Sequence, residues 1–282
     1  MLWNAKGGCV AIDDTDMNYV TFGKGTDILI MIPGLGDGLT TVKGMAAAMA
    51  FTYRVYASDY KVYIFSRKNK LENDRDKGYS TRAMTDDLAT AMKKLGISKA
   101  KILGISQGGM IGQYLAIDYP ELVDRLVLAV TLSKPNETVQ NVIANWIRFA
   151  ENSDYKSLMI DTAEKSYSEN YLKKYRPLYP ILGRIGKPKD FSRFIVQALS
   201  CVQHNAYSEL ERITCPTLIL GGGQDKIVGA HSSIEIADRI KGSELYLYEE
   251  LGHAAYEEAK DFHERVMNFY SDRENKRHTS SA

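Results

Sequence analysis

One glycine-rich pentapeptide, Gly104-Ile105-Ser106-Gln107-Gly108, constrains the fold of this chain more than any other segment. An apolar run at 102–105 leads into Ser106, and a second apolar run, compatible with a helix, follows at 110–117. A strand that turns sharply into a helix strains the backbone at the turn, so the residues two positions away must be small. The pattern predicts a strand, turn and helix that raise the Ser106 hydroxyl above a sheet and leave the Gln107 N–H free to face negative charge.

Composition excludes several classes of protein. Hydrophobic residues form 44% of the 282 residues, which is enough for a large core. The 36 basic and 35 acidic residues nearly cancel, so we expect no nucleic-acid partner and no membrane partner. The three cysteines are odd in number and lack metal-ligand spacing, so we expect no metal site and a reduced, cytoplasmic protein. The absence of an apolar signal core at residues 1–8 agrees with that location.

Apolar runs and amphipathic stretches alternate along most of the chain. This alternation predicts a mostly parallel sheet with helices on both faces. We expect Thr40 or Thr41 to cap a helix through residues 46–48, and residues 67–77 to form an exposed charged loop. After a β-hairpin predicted at 10–22, strands are predicted at 28–32, 61–66, 102–105, 126–132, 217–220 and 244–248, and those at 28–32 and 126–132 are expected to be buried.

The pattern changes between residues 134 and 205, where amphipathic helices rich in Tyr, Lys and Glu replace the strands. We expect these residues to form a helical cap inserted into a core made of 1–133 and 206–272, with a flexible tail at 273–282. The cap would line a substrate pocket, although most of its aromatic residues are expected to pack within the cap and its arginines to lie on a solvated surface. The aromatic candidates are Trp146, Phe149, Tyr155, Tyr167, Tyr171, Tyr175 and Tyr179, and the arginines are Arg148, Arg176, Arg184 and Arg193.

A second glycine-rich loop, Pro33-Gly34-Leu35-Gly36-Asp37-Gly38, follows the first buried strand. No Gly-Lys-Ser/Thr closes it as a phosphate loop would, and it lacks the dinucleotide fingerprint, so we expect no cofactor. A plain strand-to-helix turn is one interpretation of this loop. The other makes the Leu35 N–H the second donor of an oxyanion hole beside the Gln107 N–H.

A serine hydroxyl needs a base to act as a nucleophile, and His253 is the best candidate among the five histidines. It follows a predicted strand end in a short glycine-containing loop, whereas His263 is expected on the surface of the last helix. Asp225 follows the strand at 217–220 in a glycine-rich loop and is the candidate acid. An acid at the end of the strand at 126–132 would be the alternative to Asp225, but that position has no carboxylate. A structural histidine and a turn aspartate are the alternative interpretations.

With Ser106, Asp225 and His253 in the order nucleophile, acid and base, the chain resembles the α/β-hydrolase superfamily. The resemblance implies an α/β-hydrolase fold with an inserted cap. One departure is that members often begin the oxyanion loop with His-Gly, whereas this chain has Pro33-Gly34. The motifs that carry the resemblance are Pro33-Gly34-Leu35-Gly36, Gly104 to Met110, Tyr119-Pro120-Glu121-Leu122-Val123, Gly221 to Val228, and Gly252-His253.

The resemblance implies a serine hydrolase that forms an acyl-enzyme on a small carboxylic ester or related acyl substrate. Thioesters, lactones, amides and activated C–C bonds stay open, because the motifs are not specific for a substrate. A small-molecule receptor, a lyase and a cofactor-free haloperoxidase are the alternatives, since one fold hosts many functions. The motifs leave the oligomeric state open.

Overall fold

The structure is a computed structural model that describes residues 2–71, 78–182 and 186–271. Its strands join into one eight-stranded sheet. The strands are β1 (Lys6–Ile12), β2 (Thr15–Phe22), β3 (Asp27–Ile32), β4 (Tyr60–Lys68), β5 (Ala100–Ile105), β6 (Val123–Ala129), β7 (Thr217–Gly222) and β8 (Glu244–Tyr248).

The sheet has the order β1-β2-β4-β3-β5-β6-β7-β8. β1 pairs with β2, and β2 with β4, in antiparallel register, while every pair from β4 to β8 is parallel. Side chains alternate between the faces, so Ile30 and Ile32 of β3 enter one apolar cluster and Leu29 and Met31 enter the other. The prediction of a mostly parallel sheet with two buried faces is confirmed.

Helices cover both faces of this sheet. α1 and α11 contribute to the cluster that contains Met31, whereas α2, α3 and α9 contribute to the one that contains Ile30. The helices are α1 (Ala46–Thr52), α2 (Thr81–Lys94), α3 (Gln107–Asp118), α4 (Glu137–Glu151), α5 (Tyr155–Ser166), α6 (Glu169–Tyr175), α7 (Tyr179–Leu182), α8 (Ser192–Gln203), α9 (Ser232–Ala237), α10 (Ala255–Glu258) and α11 (Phe262–Tyr270).

Helices α4 to α8 occupy the interval between β6 and β7, and the described residues of that interval contain no strand. Their apolar residues form a third cluster, in which Val139 and Phe194 pack with Leu35 and Met110 of the core. The inserted helices therefore pack on the glycine-rich loop that carries Leu35 and on α3, which follows Ser106. The predicted tail at 273–282 lies outside the described residues. Within the described ranges, no helix has the length and apolar character that crossing a membrane would require.

Three local predictions are wrong. Arg67, expected in an exposed loop, belongs to β4 and is 2% exposed, while residues 72–77 of that loop lie outside the described residues. α1 begins at Ala46 without a side-chain cap, so neither Thr40 nor Thr41 caps it. His263, expected on the surface, is half-buried and hydrogen-bonds through Nδ1 to the Tyr56 hydroxyl at 2.9 Å.

The buried histidine His204 ties the inserted helices to the core. It follows α8, is 1% exposed, and hydrogen-bonds through Nδ1 to Thr81 Oγ1 at 2.8 Å and through Nε2 to Gln113 Oε1 at 3.2 Å. Burial, assisted by the nearby charge of Arg82, lowers the pKa of His204 to about 3. The folded protein therefore holds this imidazole in its neutral form.

We expect His204 to make folding stability depend on pH. The unfolded histidine, with a pKa of about 6.5, binds a proton at pH 5, whereas the folded one does not, so the free energy of unfolding falls as pH drops from 6.5 toward 3. In His204→Gln this contribution disappears, and the fall in unfolding free energy between pH 7 and pH 5 should shrink by about 2 kcal/mol. Urea titrations at pH 7 and pH 5 measure the unfolding free energy of each variant.

The exposed His231 provides the matched control, because His231→Gln also removes one imidazole but leaves the buried His204 in place. An unchanged pH dependence in His204→Gln would show that this buried imidazole does not couple protonation to folding.

Candidate active site

Ser106 occupies the turn between β5 and α3, with φ 54° and ψ −119°. A positive φ is strained for a residue with a side chain, so neighbouring contacts must hold it. Its N–H donates to the Ala129 carbonyl at 2.9 Å, and its own carbonyl accepts from Thr131 Oγ1 at 2.7 Å. Both partners lie at or just beyond the end of β6, so the adjacent strand fixes the turn.

The glycines on either side of Ser106 allow the backbone segments to touch. A Cβ on Gly108 would stand 1.9 Å from the Ile32 carbonyl oxygen, and one on Gly104 would stand 2.5 Å from the Gly108 carbonyl oxygen. Neither obstacle is a movable side chain, so any larger residue would displace α3 from the sheet. The requirement for small residues at these two positions thus has a direct steric cause.

His253 and Asp225 come from adjacent loops at the carboxyl ends of β8 and β7. His253 Nδ1 lies 2.8 Å from Asp225 Oδ2, and both residues are buried. The other carboxylate oxygen, Asp225 Oδ1, accepts from the N–H groups of Ile227 at 2.8 Å and Val228 at 3.0 Å. A carboxylate fixed in this way favours the tautomer with the proton on Nδ1, which leaves Nε2 as an acceptor.

The loop after β3 runs beside Ser106. A Cβ on Gly34 would be 3.3 Å from the Ser106 Cβ, so the loop passes within van der Waals distance of the serine. Leu35 then begins a 3-10 turn, Leu35–Gly38, and Gln107 begins α3. Within the described ranges, the N–H groups of Leu35 and Gln107 donate to no protein acceptor. Two unpaired donors thus flank the serine side chain.

A cavity of about 370 Å³ joins these groups. Ser106, His253 and Leu35 all line it, whereas Asp225 stands behind His253 and does not. The Gln107 side chain is fully buried and points toward α8, where its Nε2 donates to the Gln197 carbonyl at 2.8 Å. The structure therefore brings the five predicted residues to one place, with the side chains of Asp225 and Gln107 in supporting positions.

A buried arginine that the sequence analysis missed joins both glycine-rich loops. Arg67 Nη2 donates to the Pro33 carbonyl at 2.5 Å and to Gln107 Oε1 at 2.9 Å. Pro33 precedes the loop that carries the Leu35 amide, and Gln107 carries the other unpaired amide. One guanidinium therefore fixes the segments on both sides of the serine.

Asp37 supplies the opposite charge for this arginine. Its Oδ2 accepts from the backbone N–H of Arg67 at 3.0 Å and from Arg193 Nη2 at 2.6 Å. Burial lowers the pKa of Arg67, and the negative charge of Asp37 opposes that effect. The expectation that Arg193 is solvated is wrong, because this residue of α8 joins the inserted helices to the loop after β3. Arg184 lies outside the described residues.

The cavity walls come partly from residues that the sequence analysis did not select. Trp146 is the predicted cap aromatic that lines the cavity, but Met45, Met49 and Tyr53 also line it. Their spacing of four residues places them on one helical face, a signal that was present in the sequence. Within the described residues, no group of three His, Cys, Asp or Glu side chains could hold a metal ion.

Comparisons with known proteins agree with this fold. Residues 27–154 match a family model described as the alpha/beta hydrolase fold. A 2-hydroxy-6-oxononadienedioate/2-hydroxy-6-oxononatrienedioate hydrolase of Pseudomonas sp is 24% identical over 262 residues, which cover 88% of this chain and 89% of the relative. A putative carbamate hydrolase of Caulobacter sp. (strain K31) is 25% identical over 250 residues, or 86% of this chain and 90% of the relative.

Solved structures show the same fold. An alpha/beta hydrolase from a Medee basin deep-sea metagenome superposes with a TM-score of 0.80 at 20% identity, covering 94% of this chain and 97% of that chain. The enol-lactonase of Burkholderia xenovorans LB400 superposes with a TM-score of 0.77 at 18% identity. The match covers 94% of this chain and 100% of that chain. The sheet, the family model and these likenesses agree, and the chain has the α/β-hydrolase fold.

Proposed function

We propose that this protein is a serine hydrolase that forms an acyl-enzyme on a small carboxylic ester or related acyl substrate. In this proposal Ser106 is the nucleophile, His253 the base and Asp225 the acid, and the N–H groups of Leu35 and Gln107 form the oxyanion hole. The observation that carries the proposal is the shared cavity, which the strained Ser106 and the Asp225-bound His253 both line.

Each group has a defined task. His253 Nε2 takes the proton of the Ser106 hydroxyl as its oxygen attacks the carbonyl carbon, and Asp225 stabilises the imidazolium that results. The Leu35 and Gln107 amides receive the negative charge that develops on the carbonyl oxygen. His253 then protonates the leaving group, and a water molecule activated by His253 releases the acid and restores Ser106.

The names of the relatives support hydrolysis more broadly than they support an ester. They refer to dienedioates, carbamates and an enol-lactone, and one relative is a putative non-heme bromoperoxidase of Mycobacterium tuberculosis. A burst of nitrophenol from p-nitrophenyl butyrate, equal to one equivalent of enzyme, separates an acyl-enzyme mechanism from a receptor or lyase function.

The inserted helices act as a cap in this proposal. Val139, Ile143 and Trp146 of α4 line the cavity, so part of the wall around Ser106 comes from residues 134–205 rather than from the sheet domain. Exchanging these residues would therefore change which substrates fit while leaving the proposed triad in place.

We expect a fluorophosphonate probe to label this protein at Ser106, because the probe reports a serine activated by a base and an oxyanion hole. Ser106→Ala should abolish labelling, and Ser208→Ala, which alters an exposed serine, should retain it. Peptide mapping by mass spectrometry locates the adduct. An adduct on another residue of the folded protein would disprove the assignment.

Asp225→Asn should preserve folding and lower kcat by roughly 10² to 10⁴. The asparagine carbonyl can still accept from Ile227 and Val228, but its amide would donate to His253 Nδ1 and select the wrong tautomer. The loss should appear in kcat rather than KM, because the imidazolium forms only after substrate binds.

Asp261→Asn is the control for that experiment, since Asp261 is paired with Arg265 on α11 at the protein surface. Near-normal turnover in Asp225→Asn would mean that another carboxylate orients the histidine, and the role of Asp225 would be withdrawn.

Arg67→Met tests the positioning of the oxyanion hole. Loss of the bonds to Pro33 and Gln107 should lower kcat by about 10 to 10², while KM changes little, because a displaced amide weakens mainly the transition state. Arg67→Lys keeps the charge but not the forked geometry, so it should recover little of the activity. Inhibition by a trifluoromethyl ketone should weaken in parallel with kcat.

Arg82→Met is the matched control, because Arg82 pairs with Asp118 and Glu209 and contacts neither oxyanion segment. If Arg67→Met lowers only the melting temperature and leaves kcat and ketone inhibition intact, Arg67 has a purely structural role.

A further inference from the structure

The cavity beside Ser106 is built from two apolar surfaces that belong to different packing clusters. Met31 and Met49 come from the sheet and α1, whereas Val139, Ile143 and Trp146 come from α4 of the inserted helices. Ser106 and Leu35 line the same cavity. A carbonyl held at Ser106 would therefore have apolar surface from both clusters within reach.

Several polar side chains in the wall are already occupied by protein partners. Trp146 Nε1 donates to Asp161 Oδ2 at 2.7 Å, and Thr162 Oγ1 donates to the Leu158 carbonyl at 2.8 Å. These groups turn their donors toward the protein, so they add apolar surface rather than hydrogen-bonding capacity to the wall.

The described lining contains no lysine and no arginine. Its carboxylate, that of Asp37, is bound by the Arg67 backbone N–H and the Arg193 guanidinium. Arg193 directs all three of its side-chain nitrogens to acceptors on Asp37, Arg67 and Lys68. Arg67 keeps two buried nitrogens without a partner in the described residues, but it does not line the cavity.

This distribution of charge determines what the cavity can hold. A carboxylate that enters loses its hydration and finds no cation in the described wall, which strongly disfavours binding. The same transfer lowers the free energy of an alkyl or aryl group, because the group leaves water for an apolar surface. A volume of about 370 Å³ lies at the lower end of the range for small-molecule sites and limits the substrate to modest groups.

We infer that the substrates are small uncharged acyl compounds, with apolar groups on both sides of the scissile carbonyl, and that a carboxylate in either group is rejected. This inference rests on the proposed serine hydrolase function. It separates this chain from the relatives whose names describe dioates, because those substrates carry two carboxylates.

A pair of esters that differ in one terminal group tests the inference. p-Nitrophenyl pentanoate and mono-p-nitrophenyl glutarate share the leaving group and the length of the acyl chain, but a carboxylate replaces the terminal methyl group in the second. At pH 7.5 we expect kcat/KM for the pentanoate to exceed that for the glutarate by roughly 10² or more. Ser106→Ala corrects for background hydrolysis.

The possible results separate the two proposals. Hydrolysis of both esters at similar rates, with loss of both rates in Ser106→Ala, would overturn the inference and leave the serine hydrolase function standing. No turnover of either ester, together with no fluorophosphonate labelling, would overturn the proposed function and the inference with it.

A cation placed in the wall should weaken the discrimination against the carboxylate. Met49→Lys introduces an ammonium on α1 inside the cavity, so we expect it to narrow the pentanoate-to-glutarate ratio about 10-fold or more by raising kcat/KM for the glutarate. Phe51→Lys is the matched control: Phe51 is on the same helix but is 60% exposed and does not line the cavity. If Met49→Lys does not fold, Met45→Lys takes its place in the same measurement.

An equal effect of Phe51→Lys would show that net charge, not the wall, sets the preference. An unchanged ratio in folded Met49→Lys would likewise overturn the inference.

Discussion

The contact between the start of α3 and the end of β3 determines the geometry of the whole site. Gly108 packs so closely on the Ile32 carbonyl that a single added Cβ would lie 1.9 Å from it. This contact draws together two chain segments, because Ile32 leads into the loop of Leu35 and Gly108 follows Ser106 and Gln107. The serine and both unpaired amides thus converge through backbone packing, which no rearrangement of side chains can reproduce.

A second constraint is electrostatic and connects that packing to the inserted helices. The guanidinium of Arg67 is held between Pro33 and Gln107, and Asp37 links the Arg67 backbone N–H to the guanidinium of Arg193 on α8. Buried charges are stable only when they are paired and hydrogen-bonded, so these groups depend on one another. Movement of α8 would change the environment of Asp37 and Arg67 and reach the segments beside Ser106. The inserted helices can therefore influence the serine without touching it.

Structural features that depend on local sequence patterns could be predicted for this chain. Features that depend on contacts between residues far apart in the chain could not. Apolar runs and glycine spacing are local properties, and they led to the parallel sheet and to the turn at Ser106. Arg67 lies within a charged sequence, and a charged residue is exposed unless a partner is present. The partners of its guanidinium are 34 residues before it and 40 residues after it in the chain, a separation that local patterns do not reveal. Neither Thr40 nor Thr41 caps α1, because this helix begins only at Ala46.

The fold and the cavity wall depend on different parts of this structure. The fold places a serine, a histidine and an aspartate at the carboxyl ends of parallel strands, and this arrangement is independent of what fills the cavity. Much of the cavity wall comes instead from side chains of α1 and α4. Relatives at 24% to 25% identity can therefore differ from this chain in the cavity wall. For this chain, the charge of the cavity wall is better evidence about the substrate than the names of its relatives.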